Sequence, residues 1–207
     1  MTRTGIIETW SETGVRLHFL ETAGLSPDGA LSEKEAAQYA AFVMEKRRSE
    51  WLAGRLAAKT LLAGGAAPLS GFEIASDLLG RPSCGEHLIS ISHSNGWAVA
   101  AVKPGSSFLG VDLEKIEPRH PAWYRDYFHP AELPEPDPSE GTRLWAVKEA
   151  LMKALGLGLM ADPLDIRAAG EIKLGGKTLE RYKELGSPPF SVETRRFPEG
   201  FWTAVAA

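Results

Sequence analysis

The 207-residue chain has a single cysteine, Cys84. That excludes an intrachain disulfide framework and any zinc site built on several thiolates. It suits a reducing compartment, so a cytoplasmic location is expected. Positive charge is also short, because 23 Lys and Arg against 27 Asp and Glu leave a formal net charge of -4. The global basic field that drives nonspecific nucleic-acid binding is missing, so no nucleic-acid partner is expected and any polyanion site must be local. No run approaches the roughly 18 apolar residues of a spanning helix, and MTRTGIIETWSETG has no apolar stretch of signal-peptide length after Arg3. A soluble protein with no membrane partner is expected. The closing GFWTAVAA reads as a strand and carries no visible targeting signal.

What is present is ordinary globular material, 43% hydrophobic and 24% charged, enough for one core or for two small lobes. Apolar and polar residues alternate through Ile6, Ile7, Trp10, Val15, Leu17 and Phe19, the period of strands. Two helices' worth of helix formers follow from Leu31 to Gly65, with Ser32 and Glu35 spaced as a capping box. HLISISHSNGWAVAAVKPG reads as a hairpin about Ser94, Asn95 and Gly96, and FLGVDLEKIEP as a buried strand that emerges into charge. The stretch from His129 to Pro138 holds four prolines and reads as a loop; a helix from Trp145 to Gly156 comes next. The rest, LDIRAAGEIKLGG, FSVETRRF and FWTAVAA, alternates as strands. Strands, helix and strands thus occur twice. The pattern predicts two similar α+β lobes, residues 1–105 and 106–207, joined near Pro104 to Ser107.

Four short segments hold the candidate chemistry. In GVDLE, Asp112 and Glu114 point to one side of a strand. Such like charges repel unless a cation lies between them, and a hard divalent ion takes carboxylate oxygens; a strand end entering solvent would look the same. In WAVKEALMKALG, Glu149 and Lys153 share a helix face with Trp145. A helix-stabilising pair of about 0.2–0.5 kcal/mol accounts for them in isolation. Together with Lys148 beside them, they also supply the oxygen and ammonium that a metal and pyrophosphate site requires. In ISISHSNGW, Ser92 and His93 stand near a strand tip, where hydroxyl and imidazole can reach a ligand together, although a turn histidine is the plainer explanation. In EKRRSEWLAGR, Arg47 and Arg55 lie near two helical turns apart and suit capture of a phosphate monoester, or form a solvated basic face with Glu45 and Glu50. Histidines at zinc spacing, a GxSxG elbow and a glycine-rich phosphate loop are all missing.

In order, KRRSEWLAGR, GRP followed by SISHS, GVDLE, and WAVKEALMKALGLGL resemble the motif set of the 4′-phosphopantetheinyl transferase superfamily. The likeness is to its larger monomeric type, which activates peptide synthetase and polyketide carrier proteins. The resemblance implies an α+β fold of two lobes with pseudo-twofold symmetry and coenzyme A in the cleft between them. It implies a Mg-dependent holo-acyl-carrier-protein synthase, a cytoplasmic monomer serving secondary metabolite biosynthesis. Such an enzyme moves the phosphopantetheine arm from coenzyme A to a serine of an apo acyl or peptidyl carrier protein and releases adenosine 3′,5′-bisphosphate. By the same resemblance Asp112, Glu114 and Glu149 ligate Mg2+, with Mn2+ as an alternative. Lys153 and His93 contact the pyrophosphate, Ser92 belongs to the coenzyme A site, Arg47 and Arg55 clamp the 3′-phosphate, and Arg81 of GRP touches the nucleotide end. Glu149 is the candidate base for the serine proton. The competing expectation is a noncatalytic module of the same fold that binds coenzyme A or a carrier, against which the intact motif carboxylates and lysine argue. The proline-rich stretch sits where such proteins meet the carrier, so carrier preference stays open. Trp123, Tyr124, Arg125, Tyr127 and Phe128 are candidates for that patch, with at least two of them expected in the core.

Overall fold

The apolar alternation near the start becomes an antiparallel pair, β1 (Ile6–Thr9) and β2 (Arg16–Glu21), in a computed structural model that describes residues 5–207. The reading of the first four residues, Arg3 included, lies outside the described residues. Leu17 and Phe19 of β2 are buried, whereas Ile6 and Ile7 on the edge strand are exposed. Helix α1 (Glu33–Ala41) begins at the predicted capping box: the Ser32 hydroxyl accepts from the Glu35 amide, and the Glu35 carboxylate accepts from the Ser32 amide. Helix α2 (Glu45–Ala63) follows and ends at a left-handed Gly64. Next come β3 (Ala75–Ser76), β4 (Pro82–Cys84), β5 (His87–Ser94) and β6 (Trp97–Val102). Asn95 and Gly96 both take positive φ, as the tight turn of the β5–β6 hairpin requires. The six strands run in the order β1-β2-β6-β5-β4-β3, and α2 seals one face with Ala57, Ala58 and Leu61 against Leu20, Ile89 and Ala100.

The second half contains β7 (Gly110–Lys115), α3 (Pro121–Tyr127), α4 (Pro138–Leu155), β8 (Ile166–Arg167), β9 (Lys173–Leu174), α5 (Gly176–Glu184), β10 (Val192–Arg195) and β11 (Phe201–Ala206). Strands β10-β11-β7 form an antiparallel sheet, and β8 and β9 pair by themselves. The fold class is α+β. Two elements differ from the sequence reading. Helix α4 starts at Pro138 rather than Trp145, because Pro is harmless at a first helical position and the Asp137 side chain caps the Glu140 amide. The last proline of the run therefore opens the helix. Helix α5 falls between the expected strands, in a segment given no element of its own; Thr178, Tyr182 and, just beyond its end, Leu185 recur at helical spacing on an otherwise polar segment and turn inward.

The halves share a core. Trp10, Leu17, Phe19 and Val99 pack with Leu109, Val111, Leu113 and Val205. Buried Glu193 of β10 reaches back and accepts from the Thr13 amide and hydroxyl. No described helix is long and apolar enough to cross a membrane.

Candidate active site

The site forms where β5 of the first half lies beside β7 of the second. Ser90, Ser92 and Ser94 alternate along β5 and so share one face. Val111 N donates to Ser90 Oγ at 2.9 Å, Ser92 Oγ donates to Asp112 Oδ1 at 2.7 Å, and Lys115 N donates to Ser94 Oγ at 3.4 Å. Hydroxyls, rather than a backbone ladder, stitch the halves together here.

Helix α4 crosses β7 at very short range, permitted by Gly110, which has no side chain to strike the helix backbone. The helix is buried almost all round. Its half-open residues Trp145, Glu149 and Lys153 form the stripe that the four-residue spacing predicts. Lys153 Nζ donates to Asp112 Oδ1 at 2.6 Å and to the Val111 carbonyl at 3.2 Å. Asp112 is thus buried with Ser92 and Lys153 on one oxygen, while Oδ2 is buried with no partner among the described residues. Glu114 meets Arg119 at 3.4 Å, and that guanidinium stacks on Trp123. Burial, then the charge of Asp112, pushes the Glu114 carboxyl up to about 7 against the pull of Arg119 and Lys153. Glu149 is raised by burial and then by Asp112, with Lys153 opposing.

The first half supplies cations. Arg47, exposed at the start of α2, donates to His93 Nε2 at 3.0 Å, so that nitrogen accepts and the imidazole carries its proton on Nδ1, which lies 3.6 Å from buried Glu50. Burial holds His93 below the usual histidine range, Glu50 opposes this, and Arg47 and Lys153 add to it. Arg55 is buried under the Trp51 ring, with its Nε 3.9 Å from Glu35 and without a hydrogen bond among the described residues. Arg81 donates to the Ala154 carbonyl at 3.1 Å, near the negative end of α4, and its guanidinium packs on Gly156.

Two neighbouring cavities collect the arginines, His93, Glu149 and Lys153. One of about 490 Å³ is lined by Arg47, Arg81, Ser90, Glu149 and Lys153, and one of about 400 Å³ by Arg47, Glu50, Trp51, Arg55 and His93; Gly80, Pro82 and Ile91 belong to both. Arg47 and Arg55 do share one cavity, as their spacing on the helix predicts.

Two expectations are corrected. Lys148 takes no part in this site: it is fully buried on another face of α4, where Nζ donates to Glu132 at 2.9 Å and to the carbonyls of Tyr127 and Pro163. One residue along a helix turns the side chain by about 100°, so Lys148 and Glu149 cannot face the same ligand. Ser92 and His93 do not act side by side either, because consecutive strand residues point to opposite faces. Ser92 faces β7, and His93 faces α2. Of the aromatic candidates for a carrier patch, Phe128 is buried, while Trp123, Tyr124 and Tyr127 are half-buried in a cluster in which Trp123 and Tyr127 reach Trp145. Sequence reasoning missed Glu35 and Arg119 as partners of the site's charged groups and offered Glu50 only as part of a solvated face, whereas it is buried beside His93; the serines at every second position of β5 were a readable signal for the seam.

Among the described residues no three carboxylate, imidazole or thiol side chains already stand close enough to hold an ion. The carboxylates nonetheless fit a divalent cation by their chemistry. Asp112 Oδ2 is bare and buried, and Glu114 and Glu149 are both held up by burial and by neighbouring negative charge. More carboxylate is gathered than Lys153 and Arg119 neutralise, and oxygen ligands of this kind suit Mg2+ or Mn2+.

Residues 108–205 match the model of the 4′-phosphopantetheinyl transferase superfamily, and residues 34–103 match that of the 4′-phosphopantetheinyl transferase N-terminal domain. No curated protein matches the chain in sequence. The seam between β5 and β7 joins the two matched segments.

Proposed function

The chain belongs to the 4′-phosphopantetheinyl transferase superfamily, and we propose that it transfers the 4′-phosphopantetheine arm of coenzyme A to a serine of an apo acyl or peptidyl carrier protein, releasing adenosine 3′,5′-bisphosphate. The family's activity is phosphopantetheine transfer from coenzyme A to carrier proteins. The observation that carries the reading for this chain is the gathering of Arg47, Arg55, Arg81 and His93 from one matched segment, and Glu149 and Lys153 from the other, around one pair of neighbouring cavities. On this reading two lobes, residues 1–105 and 106–207, related by a pseudo-twofold axis, hold coenzyme A between them in a cytoplasmic monomer.

The serine oxygen attacks the β-phosphorus, the bond from that phosphorus to the bridging oxygen breaks, and the electron pair leaves on the α-phosphate of adenosine 3′,5′-bisphosphate. Asp112, Glu114 and Glu149 would hold Mg2+, which when bound neutralises pyrophosphate oxygens and polarises the phosphorus. Lys153 donates to nonbridging oxygens, exchanging part of its contact with Asp112 for substrate. Arg47 and Arg55 grip the 3′-phosphate and fix the adenosine end, which aligns the far end for in-line attack. His93, beside Arg47 and backed by Glu50, donates to pyrophosphate once protonated in the field of the substrate. Glu149, on the wall of the same cavity as Lys153, takes the serine proton.

Intact-mass measurement on apo fatty-acid, polyketide and peptide carrier proteins, incubated with coenzyme A, Mg2+ and this protein, tests the reading. A phosphopantetheine gain that disappears with EDTA and with Asp112→Ala is the expected result. A protein that binds coenzyme A yet modifies no carrier would overturn it in favour of a binding module.

A further inference from the structure

We propose that Ser92 is a positioning residue for the cation, and that it determines which oxygen of Asp112 serves as the ligand. This rests on the reading of Asp112 as a metal ligand. Both side chains are buried, and the hydroxyl proton of Ser92 lies on Oδ1 at 2.7 Å. Lys153 shares that oxygen at 2.6 Å, so Oδ1 is saturated while Oδ2 is bare. A carboxylate held in this way presents one oxygen to a cation in a fixed orientation.

The two donors on Oδ1 are not equivalent. Lys153 is a long, half-exposed side chain lining the larger cavity, free to move its ammonium to a phosphate oxygen. Ser92 has one rotatable bond before its oxygen and sits on a central strand, with its neighbours Ser90 and Ser94 pinned to β7. When Lys153 turns to substrate, Ser92 is the donor that stays. The hydroxyl also comes from the other half of the molecule, so the orientation of a ligand in one matched segment is set by a side chain of the other.

The test is a Mn2+ titration of the protein saturated with coenzyme A, read by the electron paramagnetic resonance signal of free Mn2+ and corrected for coenzyme A alone. Ser92→Ala and the near-isosteric Ser92→Cys, whose thiol is a weak donor, should both bind Mn2+ about 10- to 100-fold more weakly than wild type. Ser92→Thr, which keeps the hydroxyl, should bind within about threefold, and so should Ser94→Ala, which removes a neighbouring bridge without touching Asp112. Circular dichroism establishes which variants are folded, and the cysteine variant carries the test where alanine is not. Unchanged affinity in folded Ser92→Cys, with wild type binding and Asp112→Asn not binding, would overturn the role of Ser92 while leaving the metal site standing. Equal and negligible binding by wild type and Asp112→Asn would overturn both.

Discussion

Gly110 lies so close beneath α4 that a β-carbon placed on it would fall 1.8 Å from the Ala150 carbonyl oxygen and 2.7 Å from the Ala154 amide. Both obstacles are helix backbone, which has no rotamer to move. This contact sets the height of Glu149 and Lys153 above Asp112. Gly110→Ala should therefore lift or tilt the helix, at a cost of about 3 kcal/mol or more, or roughly 6–12 °C in thermal midpoint. Transfer should fall more than tenfold at temperatures where the protein is still folded. A midpoint within a degree of wild type would refute the close approach.

The two lysines of the α4 motif should separate cleanly by assay. Lys148→Met leaves the buried Glu132 carboxylate with only the amides of His129 and Ala168, and breaking such a pair costs about 3–5 kcal/mol. Its thermal midpoint should drop by on the order of 10 °C, with turnover of the folded fraction near normal. Lys153→Met also strips a buried carboxylate, Asp112, of its cation and should lose stability too, but it alone should lose about a hundredfold or more in kcat. A comparable loss of kcat in the folded fraction of Lys148→Met would contradict the structural assignment of Lys148.

Glu114 makes the metal-free protein sensitive to pH with a defined sign. Its pKa is raised from 4.5 to about 7 by burial and the charge of Asp112. The folded state therefore binds the extra proton, and the stability this contributes is present at low pH and lost as pH rises through 7. Without metal, Glu114→Gln should gain on wild type between pH 5.5 and 8 by about 1 kcal/mol after solvent screening, or roughly 2–4 °C. Added Mg2+ should raise the wild-type midpoint more at pH 8 than at pH 5.5. A pH-independent difference between variant and wild type in differential scanning calorimetry would exclude this ionisation.

Arg47 is exposed, so its removal should leave the fold intact. Arg47→Ala should raise KM for coenzyme A about tenfold or more and have little effect with 3′-dephospho-coenzyme A, if the guanidinium grips the 3′-phosphate. An equal effect on the two substrates would move Arg47 to the pyrophosphate.

Glu149→Gln keeps the shape of the side chain and removes its basicity. We expect kcat to fall by about 10²- to 10⁴-fold, with loss of the acidic limb of the pH–rate profile. Turnover unchanged at saturating Mg2+ would exclude Glu149 as the base.

Local signals carried much of the architecture. The Ser32 and Glu35 box, the Asn95-Gly96 turn and the alternation of β5 and β7 each depend on neighbours within a few residues, so spacing was enough to find them. Helix α5 was legible too, since Thr178, Tyr182 and Leu185 stand at helical spacing on a polar segment, but its packing beside Phe108 and Phe190 belongs to the tertiary structure. The early start of α4 escaped because prolines that forbid a helix interior are allowed at its first turn.

By itself the sequence determined which chemical groups are available: the paired carboxylates of GVDLE, the Glu149 and Lys153 stripe, and arginines two turns apart on α2. These are consequences of strand and helix periods, which act along the chain. Only the tertiary structure decided which groups meet. It turned Lys148 inward to Glu132, aimed Ser92 at Asp112 and His93 at Arg47, and left one oxygen of Asp112 bare. Those outcomes depend on the distance at which α4 packs over Gly110 and on the register of β5 against β7, and neither is encoded in any single local stretch of the chain.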